Sequence, residues 1–264
     1  MGVSLPWGAR IGVIELFGTI TGSRKLADDV AMIDKLKNNQ RIKSVIIHID
    51  SPGGLATASD YLYTALGKLS AKKPVVAFIS GAGASGAYLV SCAATKIVAL
   101  PTSVVGSIGV LSVRPVLQDL LQKVGVHITI TKSGRLKDMG YPFRPPSEEE
   151  KEKEQELINS FYDYFIKVVA RGRHINEDTV KELATGEVFL GEKAKSLGLV
   201  DEIGDFDTAL DLAAKLGKAP RRVTYFRRRP PLTERLLSIF ATSLVKETLA
   251  KAEHLTSRQI YYLL

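Results

Sequence analysis

The sequence has few of the residues that staple small extracellular domains or hold metal clusters. One of its 264 residues is a cysteine, Cys92, and four are histidines. A single cysteine excludes an internal disulfide framework and a cysteine-based zinc site. With 45% hydrophobic and 24% charged residues, the composition is too apolar for a disordered chain. They are typical of a globular protein with a sizeable core.

One long uncharged run is present, and its composition argues against a membrane span. Residues 74–95 carry no charge, and an apolar run of this length can cross a bilayer. However, the run opens with the strand-like residues 75–79 and then contains three glycines and three serines, a pattern typical of a buried strand, turn and helix. The N-terminus has no basic segment followed by an apolar run, so we predict no signal peptide. We expect a soluble chain, cytoplasmic by default.

Most of the net charge of +8 lies in one segment, residues 218–235, which hold seven basic side chains against one acidic side chain. An amphipathic helix is predicted from Thr233. Its apolar stripe comprises Leu236, Leu237, Phe240, Leu244 and Leu249. The stripe is best explained by docking on the body of the protein or on a sister subunit. A peripheral membrane contact through residues 218–264 is the alternative, and nucleic acid is not expected because no RNA-binding motif is present.

The rest of the chain alternates β-branched apolar runs with amphipathic stretches, which predicts an α/β fold. We assign residues 1–217 to one domain and residues 218–264 to a basic linker and helical tail. The predicted strands are residues 11–16, 44–49, 75–79, 96–100 and 127–131. The predicted helices are residues 26–38, 56–69, 85–94, 113–124, 177–184 and a capping-box helix from Ser147 towards Arg171.

Two small-residue turns after predicted strands are candidates for chemistry. The first is Asp50-Ser51-Pro52-Gly53-Gly54, whose glycines allow backbone N–H groups to face open space and bind an oxyanion. A flexible turn explains this segment equally well. The second is the segment 81–88, in which Ser85 lies between a strand and a helix, where a nucleophile is exposed. A helix N-cap is the structural alternative for Ser85.

A serine nucleophile needs a base, and the histidines are poor candidates. None of His48, His127, His174 and His254 comes with a recognisable orienting carboxylate, which disfavours a histidine-dependent triad. A lysine can serve if it is neutral at the working pH. Lys137 stands out because it lies in a glycine-bounded loop directly after a predicted strand.

Five segments together resemble the bacterial and archaeal signal peptide peptidase A family of serine peptidases, in its short single-repeat form. They are SPGG at 51–54, GAGASGAY at 81–88, VVGSIGV at 104–110, KSGRLKDMGYPFRP at 132–145 and GEVFLGEKAKSLGLVDEIG at 186–204. The resemblance covers residues 11–213. It implies a fold of the Clp protease and crotonase type, built from β-α superhelix units with a C-terminal helical extension here.

The resemblance also implies roles for individual residues. Ser85 matches the nucleophile and Lys137 the general base of a Ser/Lys dyad. Ser107 matches the hydroxyl that hydrogen-bonds the lysine, and the backbone N–H groups of Gly54 and Gly86 match the oxyanion hole. The expected reaction is hydrolysis of apolar peptides, such as remnant signal peptides or membrane-derived segments, without a metal or another cofactor.

In this family the serine and the lysine tend to come from neighbouring protomers. A chain with one repeat is therefore expected to form a homo-oligomer before an active site exists. Family members usually carry an N-terminal membrane anchor, which we do not expect from residues 1–10 here, so the resemblance leaves the compartment open. Two alternatives remain: a crotonase-type acyl-CoA enzyme, which shares the fold but needs neither Ser85 nor Lys137, and a catalytically silent scaffold that binds membranes.

Overall fold

A computed structural model describes residue 8, residues 10–22 and residues 24–227. The amphipathic helix predicted from Thr233 and most of the basic segment lie outside the described residues. The predicted tail therefore stays a prediction.

The described part of the chain contains eight strands and eight helices, which alternate from β1 to β4. The strands are β1 (Arg10–Phe17), β2 (Ile42–Ser51), β3 (Val75–Ala84), β4 (Lys96–Ala99), β5 (Val104–Gly106), β6 (Val188–Leu190), β7 (Glu202–Ile203) and β8 (Val223–Tyr225). The helices are α1 (Arg24–Asn38), α2 (Ala56–Ser70), α3 (Gly86–Ser91), α4 (Gln118–Lys123), α5 (Glu148–Arg173), α6 (Glu177–Leu183), α7 (Gly191–Ser196) and α8 (Phe206–Gly217).

The strands form one sheet with the order β6-β5-β3-β2-β1-β8, and β4 and β7 branch from β3. Every pair of strands is parallel except β5 with β6. The branch arises because β3 changes its neighbour. Its first part, Val76–Ile79, pairs with β4, and its last part, Ala82–Ala84, pairs with β5. The carboxyl ends of β2, β3 and β5 are consequently adjacent.

Both faces of the sheet are covered, which explains why its central strands are apolar at nearly every position. Neighbouring residues of β2 show this: Val45 packs into the larger core on the side of α1, α2, α3 and α5, and Ile46 packs into the smaller core beneath α8. Both side chains are 0% exposed. The sheet therefore gives the loops at its carboxyl edge a rigid base.

Four of the five predicted strands are confirmed, and the fifth, residues 127–131, is wrong. This segment forms no strand and pairs with none, and its apolar residue Ile128 is 46% exposed. Alternation of apolar and polar residues predicts a strand only where a sheet is present to pair with it. The helix predicted at 113–124 is also shorter, because only Gln118–Lys123 is helical.

The sheet continues past residue 217. Strand β8 pairs in parallel with β1, so residues 223–225 of the predicted C-terminal extension belong to the edge of the sheet. The uncharged run 74–95 forms β3, α3 and the turn after it. No helix in the described part of the chain combines the length and the apolar character needed to cross a bilayer.

Candidate active site

Three loops that carry predicted site residues meet at the carboxyl edge of the sheet. Gly54 follows β2, Ser85 follows β3 and Ser107 follows β5. Because these strands are parallel neighbours, their carboxyl ends open onto one crevice, where parallel sheets usually bind ligands. The crevice is a cavity of about 1030 Å³, lined by Gly54, Ser85, Gly86 and Ser107 among other residues. The structure thus brings four of the five predicted site residues together.

Ser85 has the backbone of a strained turn. Its φ of 52° and ψ of −125° lie outside the regions that residues other than glycine normally adopt. Its N–H donates to the Gly106 carbonyl over 2.8 Å, which ties the turn to β5. Among the described residues the Ser85 hydroxyl has no hydrogen-bond partner and makes no cap bond to α3. Ser85 therefore occupies the N-cap position of α3 without capping the helix through its side chain, and its hydroxyl is left for another partner.

The two glycine amides lie beside this serine because the chain segments approach closely. A Cβ atom added at Gly53, where φ is 94°, would lie 2.7 Å from the Gly86 nitrogen and 2.9 Å from the Ser85 Cβ. A Cβ at Gly86 would lie 2.1 Å from the Ser59 Oγ and 3.5 Å from the Gly54 nitrogen. Glycine is thus required at both positions. In the described part of the chain, neither the Gly54 N–H nor the Gly86 N–H donates a hydrogen bond to the backbone of a turn or loop.

Asp50 binds the part of β3 that leads to Ser85, a role that sequence reasoning missed. Its Oδ1 accepts a hydrogen bond from the Ala82 N–H over 2.9 Å. The register between β2 and β3 shifts between Ile49 and Ser51, so this carboxylate substitutes for a ladder bond. Gly81 leaves room for it, because a Cβ there would lie 2.3 Å from Oδ1.

The cavity extends from Ser85 along a largely apolar wall. Helix α5 contributes much of this wall, which the acidic start of the helix did not indicate. Asp60 is the one charged side chain among the described lining residues, and it accepts a hydrogen bond from the Tyr164 hydroxyl. Burial raises the pKa of Tyr164, and its bond to Asp60 acts in the same direction. The large apolar lining residues are Leu55, Leu89, Leu111, Leu157, Phe161 and Phe165.

Ser107 lines the same cavity from a constrained turn after β5. Its φ is 49°, and its N–H donates to the Glu187 carbonyl over 2.7 Å. Glu187 belongs to the GEVFLGE segment, which forms β6 and pairs with β5. The Ser107 hydroxyl has no hydrogen-bond partner among the described residues. Two hydroxyl groups without partners therefore face the same cavity.

Lys137 is the predicted site residue that this single chain does not bring to the cavity. It is exposed in a run of turns from residue 135 to residue 140, and no lysine or histidine of the described residues lines the cavity. The next residue, Asp138, is buried and accepts hydrogen bonds from Lys132 and Arg144. The carboxylate beside Lys137 is therefore already paired with two cations.

The described histidines lie elsewhere. His48 is half-buried on the opposite face of the sheet between Phe17, Phe78 and Phe206, and its Nε2 lies 2.8 Å from the Ser80 Oγ. Burial lowers its pKa. This packed environment gives His48 a structural role, away from Ser85.

Comparisons with known proteins agree with this geometry. The profile described as peptidase family S49 matches residues 67–219, and that described as Clp protease matches residues 12–106. A candidate protease of Methanocaldococcus jannaschii is 41% identical over 198 residues, 74% of this chain and 64% of that protein. A candidate signal peptide peptidase SppA of Enterococcus faecium is 37% identical over 187 residues, 70% of this chain and 54% of that protein. The chain thus spans less than two thirds of the length of these relatives.

A solved structure supports the fold. A mutant of the membrane-bound stomatin-specific protease 1510-N superimposes with a TM-score of 0.56 at 18% identity, covering 84% of this chain and 99% of that chain. This likeness and the Clp protease match confirm the Clp protease and crotonase type of fold. The S49 profile covers more than half of the sequence, and the relatives include a protein named SppA. The chain belongs to peptidase family S49, the signal peptide peptidase A family.

Proposed function

We propose that this protein is a serine endopeptidase in which Ser85 is the nucleophile and Lys137 of a second copy of the chain is the general base. The observation that carries the proposal is the Ser85 hydroxyl: it has no partner among the described residues, sits on a strained turn and opens onto an apolar cavity beside the amides of Gly54 and Gly86. A serine that only capped α3 would bond to the helix.

The arrangement supports a complete acyl-transfer cycle. Lys137 Nζ, neutral, takes the proton of the Ser85 hydroxyl as its oxygen attacks the peptide carbonyl carbon. The carbonyl oxygen becomes an oxyanion, to which the Gly54 and Gly86 N–H groups donate. The lysine then gives the proton to the leaving nitrogen as the C–N bond breaks. Water, deprotonated by the same lysine, attacks the Ser85 ester carbonyl carbon; the ester C–O bond breaks, the acid is released, and the lysine returns the proton to the Ser85 Oγ. Ser107 orients the lysine between the two steps.

The exposed segment before Lys137 supports a base supplied by another subunit. No residue from 111 to 137 is buried, although the segment is rich in large apolar side chains. Helix α4 buries none of its six residues, and a helix this short is not stable without packing. Exposed apolar surface of this kind marks an interface. Its most exposed apolar residues are Leu111, Val113, Leu120 and Val124.

The cavity favours apolar peptides as substrates. Its wall offers leucine and phenylalanine side chains around a volume of about 1030 Å³, with Asp60 as its single charged group among the described residues. Apolar side chains gain roughly 25 cal/mol per Å² on leaving water. Remnant signal peptides and membrane-derived segments belong to this class of substrate.

The test is hydrolysis of fluorogenic peptides with small or apolar residues before the scissile bond, measured from pH 6 to pH 10. We expect activity in the wild type that rises with pH as the base loses its proton, and none in Ser85→Ala or Lys137→Ala. Ser80→Ala and Lys151→Ala are the matched controls: Ser80 contacts His48, and Lys151 forms an exposed ion pair with Glu148. Both controls keep wild-type activity.

The outcomes separate the alternatives. An active Lys137→Ala variant shows that another group is the base. Loss of activity in Ser80→Ala with retention in Ser85→Ala places the chemistry at His48. A wild type that is silent at every pH contradicts the peptidase proposal and leaves the resemblance as one of fold alone.

A further inference from the structure

A buried ionic cluster joins the loop of Lys137 to the start of α5. Arg144 Nε donates to Asp138 Oδ2 over 2.9 Å, and its two terminal nitrogens donate to the two carboxylate oxygens of Glu150, one of them over 2.8 Å. Lys132 Nζ donates to the other oxygen of Asp138. Asp138 is 4% exposed and Glu150 is 2% exposed.

This cluster is the buried attachment of the loop to the fold. Between Ile108 and Glu150, Asp138 is the one buried residue. The segment that carries Lys137, residues 109–149, therefore has no hydrophobic core of its own in this chain. Its one buried contact is the carboxylate that follows Lys137 directly in the sequence.

Glu150 in turn is held rigidly. Its Oε2 accepts from the Ser147 N–H over 2.8 Å, and its own N–H donates to the Ser147 Oγ over 3.2 Å, which is a capping box. The hydrogen bonds from Arg144 hold the pKa of Glu150 and that of Asp138 well below their usual ranges, so both stay ionised. Arg144 thus connects a helix terminus to the residue beside Lys137 through charge-assisted bonds.

We propose that Arg144 is a positioning residue for Lys137: by binding Asp138 and Glu150 at once, its guanidinium sets where the loop presents the lysine. The proposal rests on the proposed function of Lys137 as the base. A lysine cannot replace Arg144 fully, because an ammonium cannot reach two carboxylates with the planar fork that makes three bonds here.

The position of the cavity predicts which kinetic constant a displaced Lys137 loop changes. None of its lining residues lies between residues 112 and 156. Displacing the Lys137 loop therefore leaves the substrate wall of the same chain unchanged and lowers kcat rather than raising KM. A misplacement of about 1 Å at a catalytic group costs roughly 100-fold in rate.

The experiment compares Arg144→Met and Arg144→Lys with Arg135→Met in peptide hydrolysis. Arg135 is the matched control because it lies in the same loop and pairs with Glu149 at an exposed site, 75% and 37% exposed. We expect kcat to fall roughly 100-fold in Arg144→Met with KM unchanged, a partial recovery in Arg144→Lys, and less than a twofold change in Arg135→Met.

Mixing subunits separates positioning from misfolding. In a shared site, Arg144→Met chains retain a sound Ser85 and lack a well-placed lysine, so they regain activity when mixed with Ser85→Ala chains. They stay inactive when mixed with Lys137→Ala chains. A misfolded variant is rescued by neither.

The results distinguish the two proposals. If Lys137→Ala is inactive and Arg144→Met behaves like Arg135→Met, the positioning role is wrong and the dyad stands. If Lys137→Ala is active, the dyad itself is wrong. If the mixture of Ser85→Ala with Lys137→Ala is inactive, the site is not shared. Separately, an effect of Arg144→Met on KM instead of kcat overturns the positioning role.

Discussion

Gly53→Ala tests how closely the two glycine amides must approach Ser85. The new Cβ would lie 2.7 Å from the Gly86 nitrogen and 2.8 Å from the Ala84 carbonyl oxygen, and both neighbours are backbone atoms that cannot rotate away. To reach an ordinary contact of 3.4 Å the two segments must separate by about 0.7 Å. The backbone φ of 94° adds about 1–3 kcal/mol of strain.

The expected result is a loss of kcat. Loss of one oxyanion donor costs roughly 100- to 1000-fold, and a displacement of this size approaches that cost. Peptide hydrolysis under saturating substrate measures it. Gly67→Ala is the matched control, since a Cβ there meets nothing within 4 Å inside α2, and we expect full activity with about 0.5–1 kcal/mol of added stability. Wild-type kcat in a folded Gly53→Ala protein would refute the assignment of this turn to the oxyanion site.

Three further predictions concern the core, the ionic cluster and the cavity wall. Tyr88→Phe removes a hydroxyl that donates to the Leu199 carbonyl over 2.8 Å in the core, and we expect chemical denaturation to show a loss of about 1–3 kcal/mol. The Arg144 hydrogen bonds lower the pKa of Glu150 to about 2. The ionised Glu150 carboxylate therefore contributes fully to stability above the usual carboxyl range, and this contribution is lost as the pH falls towards 2. Hydrogen exchange should show residues 133–143 equally protected at pH 7 and pH 5. Leu157→Ala removes an exposed part of the wall, and KM for apolar peptides should rise roughly tenfold while the melting temperature is unchanged.

The sequence predicted strands β1 to β4 and most helices of the larger core, but not α8, which covers the other face of the sheet. Strands β1 to β4 are runs of β-branched residues buried on both faces, and α2 and α5 have clear apolar periodicity, so local pattern and tertiary packing agree there. The short strands β5 to β8 were missed because two or three residues carry no periodic signal. These strands form because the end of a neighbouring strand is free to pair with them. Val104–Gly106, for example, pairs with Ala82–Ala84 at the end of β3.

The site was predicted where it depends on local turn chemistry. Gly54, Ser85 and Gly86 stand on glycine-containing turns after strands, and the parallel order of β2 and β3 brings these turns together. The wall formed by α5 was not predictable, because its contacts join residues far apart in the sequence. An acidic first turn is typical of a solvated helix face, yet Glu150 is buried, and the proline-flanked Arg144 was the signal that could have indicated its partner.

The most direct test of the central claim is the chemical reactivity of Ser85. A fluorophosphonate forms a covalent adduct with an activated serine, and intact mass spectrometry followed by peptide mapping locates the adduct. Wild-type protein should acquire one adduct, on Ser85, and Lys137→Ala should acquire none. When Lys137→Ala chains are mixed with Ser85→Ala chains, the adduct should appear on the Lys137→Ala chains, because their Ser85 then meets the lysine of a neighbour. An adduct on another serine, or equal labelling of Lys137→Ala alone, would contradict the account.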